Sequence, residues 1–288
     1  MPLLLSPGQG AQSSGMLRAW LEFPDAAASI GRWSELSDLD LLQLGTAAPA
    51  DVVRRTEVAQ PLLTALALLS GRALLGGNRP TQVCGHSVGE LSALALAGVL
   101  TDDEAVVLAA GRGRLMAQAA AARPTGMAAV LGGSLDEDAL AEAGLELATV
   151  NVAGQLVVGG PVEALDAWRP PSGARVRRLD VAGAFHTTAM APAVPDFAAL
   201  VAQLDPREAQ CDVLANADGA ALRDGRALLD RLVGQLTRPV RFDLCLAAAT
   251  GPAVELAPAG VLAGLVKRGR PDLTVTALRT PEDLLVTA

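Results

Sequence analysis

The pentapeptide Gly85-His86-Ser87-Val88-Gly89 restricts what this chain can fold into more than any other feature. Gly-x-Ser-x-Gly is the pattern of a strand that turns abruptly into a helix, with a serine at the bend. The glycines permit the crowded turn, and the turn lifts the serine Oγ clear of the backbone. The flanks supply the context that the pattern requires. Gln82-Val83-Cys84 reads as a short buried strand, and residues 88–98 read as a helix ended by Gly98. A glycine-rich turn with an incidental serine would look the same, so the pentapeptide needs a chemical partner.

A hydroxyl is a poor nucleophile at neutral pH until a base takes its proton. The chain has two histidines, His86 and His186. Neighbouring side chains on a tight turn diverge, which leaves His186, in Ala184-Phe185-His186-Thr187, as the base for Ser87. No carboxylate stands in an obvious third position. A main-chain carbonyl accepting from Nδ1 would serve instead and would turn Nε2 toward the serine. The main-chain N–H of Val88, at the start of the helix, is expected in an oxyanion hole, where the helix N-terminus also favours negative charge.

Thr101-Asp102-Asp103-Glu104 is a capping box that opens the next helix. Ala105, Leu108, Ala109, Arg112 and Met116 share one face of it, so an arginine sits on an apolar stripe. Gly111 and Gly113 flank that arginine. Glycine costs roughly 1 kcal/mol inside a helix, so two of them suggest close approach by other groups. Arg112 is either a snorkelling side chain whose stem covers apolar surface or a fixed guanidinium that grips a carboxylate.

Leu3-Leu4-Leu5 reads as a buried strand feeding the loop Ser6-Pro7-Gly8-Gln9-Gly10, and 61–75 reads as a helix with Pro61 in its first turn. After Pro124-Thr125-Gly126 the pattern becomes β-α-β-β-α-β: strands at 127–131, 146–150, 156–158 and 175–181, helices at 136–143 and 161–168. A further helix is expected near 195–204. The expected fold is α/β, an α/β-hydrolase-like large domain (1–123 plus 184–288) with an inserted small ferredoxin-like subdomain (124–183). His186 then falls at the junction, where clefts form.

Composition narrows the classes. At 288 residues the chain suits one large domain with such an insertion, and with aromatics at 2% its core must be Leu, Val and Ala. A net charge of −8 argues against a general nucleic-acid binder. Cys84, Cys211 and Cys245 lack metal-ligand spacing; with no signal peptide read at the N-terminus, they suggest reduced thiols and a cytoplasmic protein. The apolar stretches 62–69 and 91–100 look too short to span a bilayer. Cys84 is expected to pack rather than react.

These motifs, taken in order, resemble the malonyl-CoA:acyl-carrier-protein transacylase family. They are Pro7-Gly8-Gln9-Gly10-Ala11-Gln12, Gly85-His86-Ser87-Val88-Gly89-Glu90, Arg112-Gly113-Arg114-Leu115-Met116, Asn151-Val152-Ala153-Gly154-Gln155 running on to Gly160, and Ala184-Phe185-His186-Thr187. Arg238-Pro239-Val240-Arg241-Phe242 and Pro258 through Arg268 complete the series, from residue 3 to about 280. The likeness is strongest to the actinobacterial enzymes of fatty-acid synthesis.

The resemblance implies that Ser87 carries a malonyl ester, that His186 serves as general base and then general acid, and that Arg112 pairs with the malonyl carboxylate. It implies that the Gln9 N–H joins Val88 in the oxyanion hole and that Asn151 and Gln60 line the site. The carbonyl at Arg241 would orient His186. Many relatives carry Gln there, and many carry Gly where this chain has Ala257. The implied partners are malonyl-CoA and acyl carrier protein, with no nucleic acid or membrane, no metal and no redox cofactor, in a monomer. Arg175, Arg177, Arg178, Lys267, Arg268 and Arg270 are candidates for a positive patch toward an acidic carrier. Other readings are a free-standing polyketide-synthase acyltransferase, a malonate decarboxylase transacylase subunit, a serine hydrolase, or a carrier-docking protein with a relic site.

Overall fold

The computed structural model describes residues 1–133 and 135–286. Its larger sheet has six strands in the order β11 (Val275–Ala277), β10 (Ala253–Glu255), β1 (Leu3–Ser6), β2 (Gln82–Gly85), β7 (Asp212–Leu214) and β8 (Ala221–Leu222). All neighbours are parallel except the last pair. Strand alternation explains why these short runs are mostly apolar on both sides. Leu4, Val83, Val213 and Val254 join a large core on one face, while Leu3, Leu5, Cys84, Leu214 and Ala253 join a second core on the other. A parallel sheet covered on both faces needs such continuous apolar strands.

The first core is built with α1 (Ala26–Ser37), α2 (Leu41–Thr46), α3 (Ala50–Val53), α4 (Thr56–Leu75), α5 (Gly89–Leu96) and α6 (Asp102–Ala121). Thr101 caps α6 in the reciprocal capping box that its sequence predicts. The stripe Ala105, Leu108, Ala109, Arg112 and Met116 is buried along its whole length. Gly113 lets α4 come close, since a Cβ there would lie 2.9 Å from the Thr56 carbonyl oxygen.

Helix α4 corrects two expectations. It begins at Thr56, so Pro61 lies inside the helix rather than in its first turn. It is also long and apolar enough to cross a bilayer by length and composition, unlike the shorter stretch read from the sequence. However, 78% of its apolar window is buried within the fold, which makes it a core helix.

Residues 125–178 form the β-α-β-β-α-β unit: β3 (Thr125–Leu131), α7 (Glu137–Glu142), β4 (Glu146–Val152), β5 (Gln155–Pro161), α8 (Val162–Ala167) and β6 (Arg175–Arg178). Their sheet runs β6-β3-β5-β4, all antiparallel. A fifth strand, β9 (Val240–Arg241), pairs parallel with β4 from beyond the expected boundary at 183. Alternation divides the faces again. Ala128, Val130 and Val158 pack on the two helices through Leu140 and Leu165, while Met127, Ala129 and Val157 face a cleft toward the larger sheet. The chain continues through α9 (Val194–Ala202), α10 (Gly225–Gly234), α11 (Phe242–Ala248) and α12 (Val261–Gly269), the last two packing in the second core.

Candidate active site

The turn after β2 is shaped by its glycines. A Cβ on Gly85 would overlap the Gly89 backbone, and one on Gly89 would overlap the Ser6 carbonyl. Ser87 between them has φ +54°, a left-handed conformation that L-residues avoid. The second residue of the expected pair, His186, is left-handed too, at φ +62°. Two chemically important side chains are therefore held on strained backbone, both buried.

Their side chains meet. Ser87 Oγ lies 2.7 Å from His186 Nε2, and His186 Nδ1 lies 2.8 Å from the main-chain oxygen of Gln235. A carbonyl only accepts, so Nδ1 carries the hydrogen and Nε2 is left with the lone pair that faces the serine. Burial is the main reason that the His186 pKa falls, to about 3, with the nearby Arg112 charge adding to it. The ring is thus neutral at physiological pH, the form a general base requires. His86 points away from the serine, as expected of adjacent side chains: its Nε2 lies 2.9 Å from Asn151 Oδ1, and its ring meets Phe242 edge-on.

Arg112 is fully buried and lies beside Ser87, with Nη2 3.4 Å from its Oγ. Its Nη1 donates to Gln60 Oε1 at 2.8 Å and its Nη2 to Gln235 Oε1 at 2.7 Å. Its Nε has no partner, and among the described residues no carboxylate pairs with it directly. Burial lowers its pKa to about 10, so it stays cationic at neutral pH. A buried cation held by two neutral amides retains an unmet demand for an anion. The snorkelling alternative fails, because the head group is inside.

A cavity of about 250 Å³ opens onto this group, with Gln9, Gln60, Ser87, Arg112, Asn151 and His186 on its wall. Neither the Gln9 N–H nor the Val88 N–H donates to any described residue, which leaves both available near Ser87. Asn151 reaches the wall because β4 slips register between Val150 and Val152, a bulge that re-aims a side chain. Of the residues expected in the site, these six line one cavity, Val88 stands next to Ser87 at the N-cap of α5, and Arg241 lies apart.

The acyl transferase domain family matches residues 4–276. Malonyl CoA-acyl carrier protein transacylase of Mycobacterium tuberculosis is 46% identical over 297 aligned residues, covering 99% of this chain and 98% of the relative. This chain belongs to the acyl transferase family. The crystal structure of MCAT from Mycobacterium tuberculosis superposes on the acyltransferase with a TM-score of 0.92 at 46% identity, covering 98% of this chain and 97% of the other. A solved complex of a type II PKS acyl-carrier protein with its malonyl-transacylase superposes at a TM-score of 0.90 and 28% identity, over 99% and 97% of the two chains. The expected kinship with malonyl-CoA:acyl-carrier-protein transacylases is borne out.

The exception is Arg241. Its carbonyl does not orient His186; that atom belongs to Gln235. Arg241 is spent elsewhere, its N–H donating to the Asn216 oxygen at 2.7 Å and its guanidinium pairing with Asp243 at 2.9 Å. It lies in β9, in register with Val150, whereas Gln235 follows directly on α10 and enters the site.

Sequence reasoning missed three further residues of the acyltransferase. Gln235 contacts both His186 and Arg112. Asn216 accepts from Ser87 N–H at 2.9 Å and donates to the Gly85 oxygen, tying down the strained turn. Glu90 is buried, accepts from Asn216 N–H at 2.7 Å and from Gln235 Nε2 at 2.6 Å, and has its pKa raised to about 7 by burial. A carboxylate in the first turn of an otherwise apolar helix was the available signal for Glu90. Gln235 and Asn216 carry no charge and no periodic mark.

The basic candidates separate. Arg178 pairs with Asp166, Arg270 with Asp272 and main-chain oxygens, and Arg268 reaches Gln155. Arg177 is exposed on β6 and lies on the cavity wall. Cys84 is buried with its thiol pKa pushed up, first by a hydrogen bond with Cys245 and then by burial, so it packs as expected.

Proposed function

We propose that this acyltransferase moves the malonyl group from malonyl-CoA to the phosphopantetheine thiol of acyl carrier protein, supplying fatty acid biosynthesis, by a ping-pong Ser–His mechanism. One observation carries this reading: a buried, carboxylate-free guanidinium, Arg112, next to a histidine-paired serine. Such a site suits an acyl group that ends in a carboxylate and reacts at its other end.

Ser87 Oγ attacks the thioester carbonyl while its proton passes to His186 Nε2. The oxyanion is held by the N–H groups of Val88 and Gln9. Collapse breaks the C–S bond, and the coenzyme A thiolate leaves with the proton from His186. The carrier thiol then gives its proton to His186 and attacks the malonyl-serine ester. The second collapse breaks the Ser87 ester, and Oγ regains its proton. Arg112 pairs with the malonyl carboxylate throughout, Gln60 steadies Arg112, and Asn151 lines the thioester end beside His86. Base, nucleophile and oxyanion donors all come from the chain, so the steps use no metal or redox cofactor.

We read the chain as an α/β-hydrolase-like domain, 1–123 plus 184–288, carrying a ferredoxin-like subdomain at 124–183. The four-strand order of the smaller sheet supports this. The names of the relatives support the donor and the carrier. A cleft complete within one chain supports a monomer, and three buried free thiols support a cytoplasmic protein. The polyketide-carrier neighbour favours a second reading, in which the physiological acceptor is a polyketide carrier.

Intact-protein mass after brief incubation with malonyl-CoA or acetyl-CoA tests the proposal. A malonyl adduct on the wild type that is absent from Ser87→Ala and weak with acetyl-CoA is the expected result. Rapid release of free malonate without an adduct would favour a hydrolase, and neither adduct nor malonate would favour a relic site.

A further inference from the structure

The mechanism above leaves unused a buried carboxyl group beside the site, Glu90. Its carboxylate does not touch Arg112. Between them stands the side-chain amide of Gln235, whose Nε2 donates to Glu90 Oε2 at 2.6 Å and whose Oε1 accepts from Arg112 Nη2 at 2.7 Å. Asn216 Oδ1 at 3.1 Å and the Ser87 oxygen at 3.3 Å also face Nε2, so everything around that end of the amide accepts and the group opposite donates. Glu90 is the one ionisable group among these acceptors and makes the shortest contact.

We propose that Glu90 is a positioning residue for acyl selection, because its carboxylate locks the Gln235 amide with its oxygen toward Arg112 and so aims the guanidinium at the substrate carboxylate. The inference rests on the malonyl-transfer reading. The arrangement has a physical purpose. A direct Glu90–Arg112 ion pair would occupy the donors that a malonyl carboxylate needs. An interposed amide holds the guanidinium in place while leaving its Nε unpartnered. A reversed amide would set its NH2 against Nη2, donor against donor, and push the guanidinium out of line. The main-chain oxygen of the same residue orients His186, so one glutamine serves the base and the selector.

The test is the rate of Ser87 ester formation from malonyl-CoA and from acetyl-CoA, followed by intact mass. The proteins are the wild type, Glu90→Gln, Arg112→Ala and the double variant. Glu90→Gln keeps the shape and removes the charge. Its malonyl-over-acetyl ratio is expected to fall by about tenfold or more, the size of one lost charge-assisted hydrogen bond. Adding Glu90→Gln to Arg112→Ala should leave the ratio unchanged, because the selector through which Glu90 acts is already gone. An equal loss for both acyl groups, an unaltered ratio in Glu90→Gln, or a further change in the double variant would overturn the proposal. If Glu90→Gln does not fold, Gln235→Met, which keeps the main-chain carbonyl, should show the same loss of ratio, and a preserved ratio there refutes it. A wild type that forms no malonyl ester removes the transfer reading and this inference together, whereas a malonylated wild type with an indifferent Glu90→Gln removes the inference alone.

Discussion

At the scale of single residues, the proposed chemistry turns on Arg112. Burying a guanidinium without its own carboxylate leaves a charge that only a substrate can match. Arg112→Ala should therefore lose malonyl transfer by about 3–5 kcal/mol in kcat/KM and gain relative to it in acetyl transfer. Comparing kcat/KM for malonyl-CoA and acetyl-CoA checks this, and an unchanged ratio would remove Arg112 from its role. His186 makes a separate prediction. Its pKa, about 3 in the fold, lies below the ordinary histidine value of 6.5. Between those values the unfolded chain binds a proton that the folded chain does not. Stability therefore rises with pH through the window and is lost as pH falls, by up to about 1.4 kcal/mol for each pH unit. His186→Asn lacks this dependence. Urea unfolding at about pH 7 and about pH 5 should show the wild type losing stability relative to the variant, and a constant difference would mean an ordinary histidine.

Among elements, the short glycine-framed turn, the bulged strand β4 and the edge strand β6 do different work. The turn holds Ser87 in a left-handed conformation that Asn216 braces from the end of β7. The bulge turns Asn151 toward His86. In β6 the pleat divides three arginines. Arg175 and Arg177 share one face, Arg178 takes the other and pairs with Asp166, and Arg177 reaches the cavity wall. Charge on an edge strand also discourages pairing with other chains, so the arginines need no ligand to be explained. If Arg177 does meet the acidic carrier, wild-type transfer should slow as salt rises, and Arg177→Glu should be slower and nearly indifferent to salt. Steady-state transfer to carrier protein across ionic strength decides this, and a flat wild-type profile would leave Arg177 a solvated edge charge.

Across the whole molecule, two sheets face each other over one cavity, and the local order of the chain accounts for much of how they were anticipated. Ser87, the helix that follows it, the capping box at Thr101 and the β-α-β-β-α-β run were legible because each rests on contacts between near neighbours in sequence: a turn that only glycine tolerates, a side chain closing on the third residue ahead, an apolar period of two or of 3.6. His186 was legible for another reason, scarcity, since only two imidazoles were available. The start of α4 and the fifth strand of the smaller sheet were not, because packing against α6 and pairing with β4 set them from far along the chain. The same distance hid the support of the site. Which carbonyl receives His186 Nδ1 depends on where two loops meet, and any residue type offers a carbonyl, so nothing in the side chains could distinguish Gln235 from Arg241. Local sequence was enough to point to Ser87, His186 and Arg112 and to the order of most elements. Which uncharged groups hold these three side chains in line emerged from the folded chain alone, because hydrogen bonds between distant main-chain and amide groups leave no periodic or compositional mark.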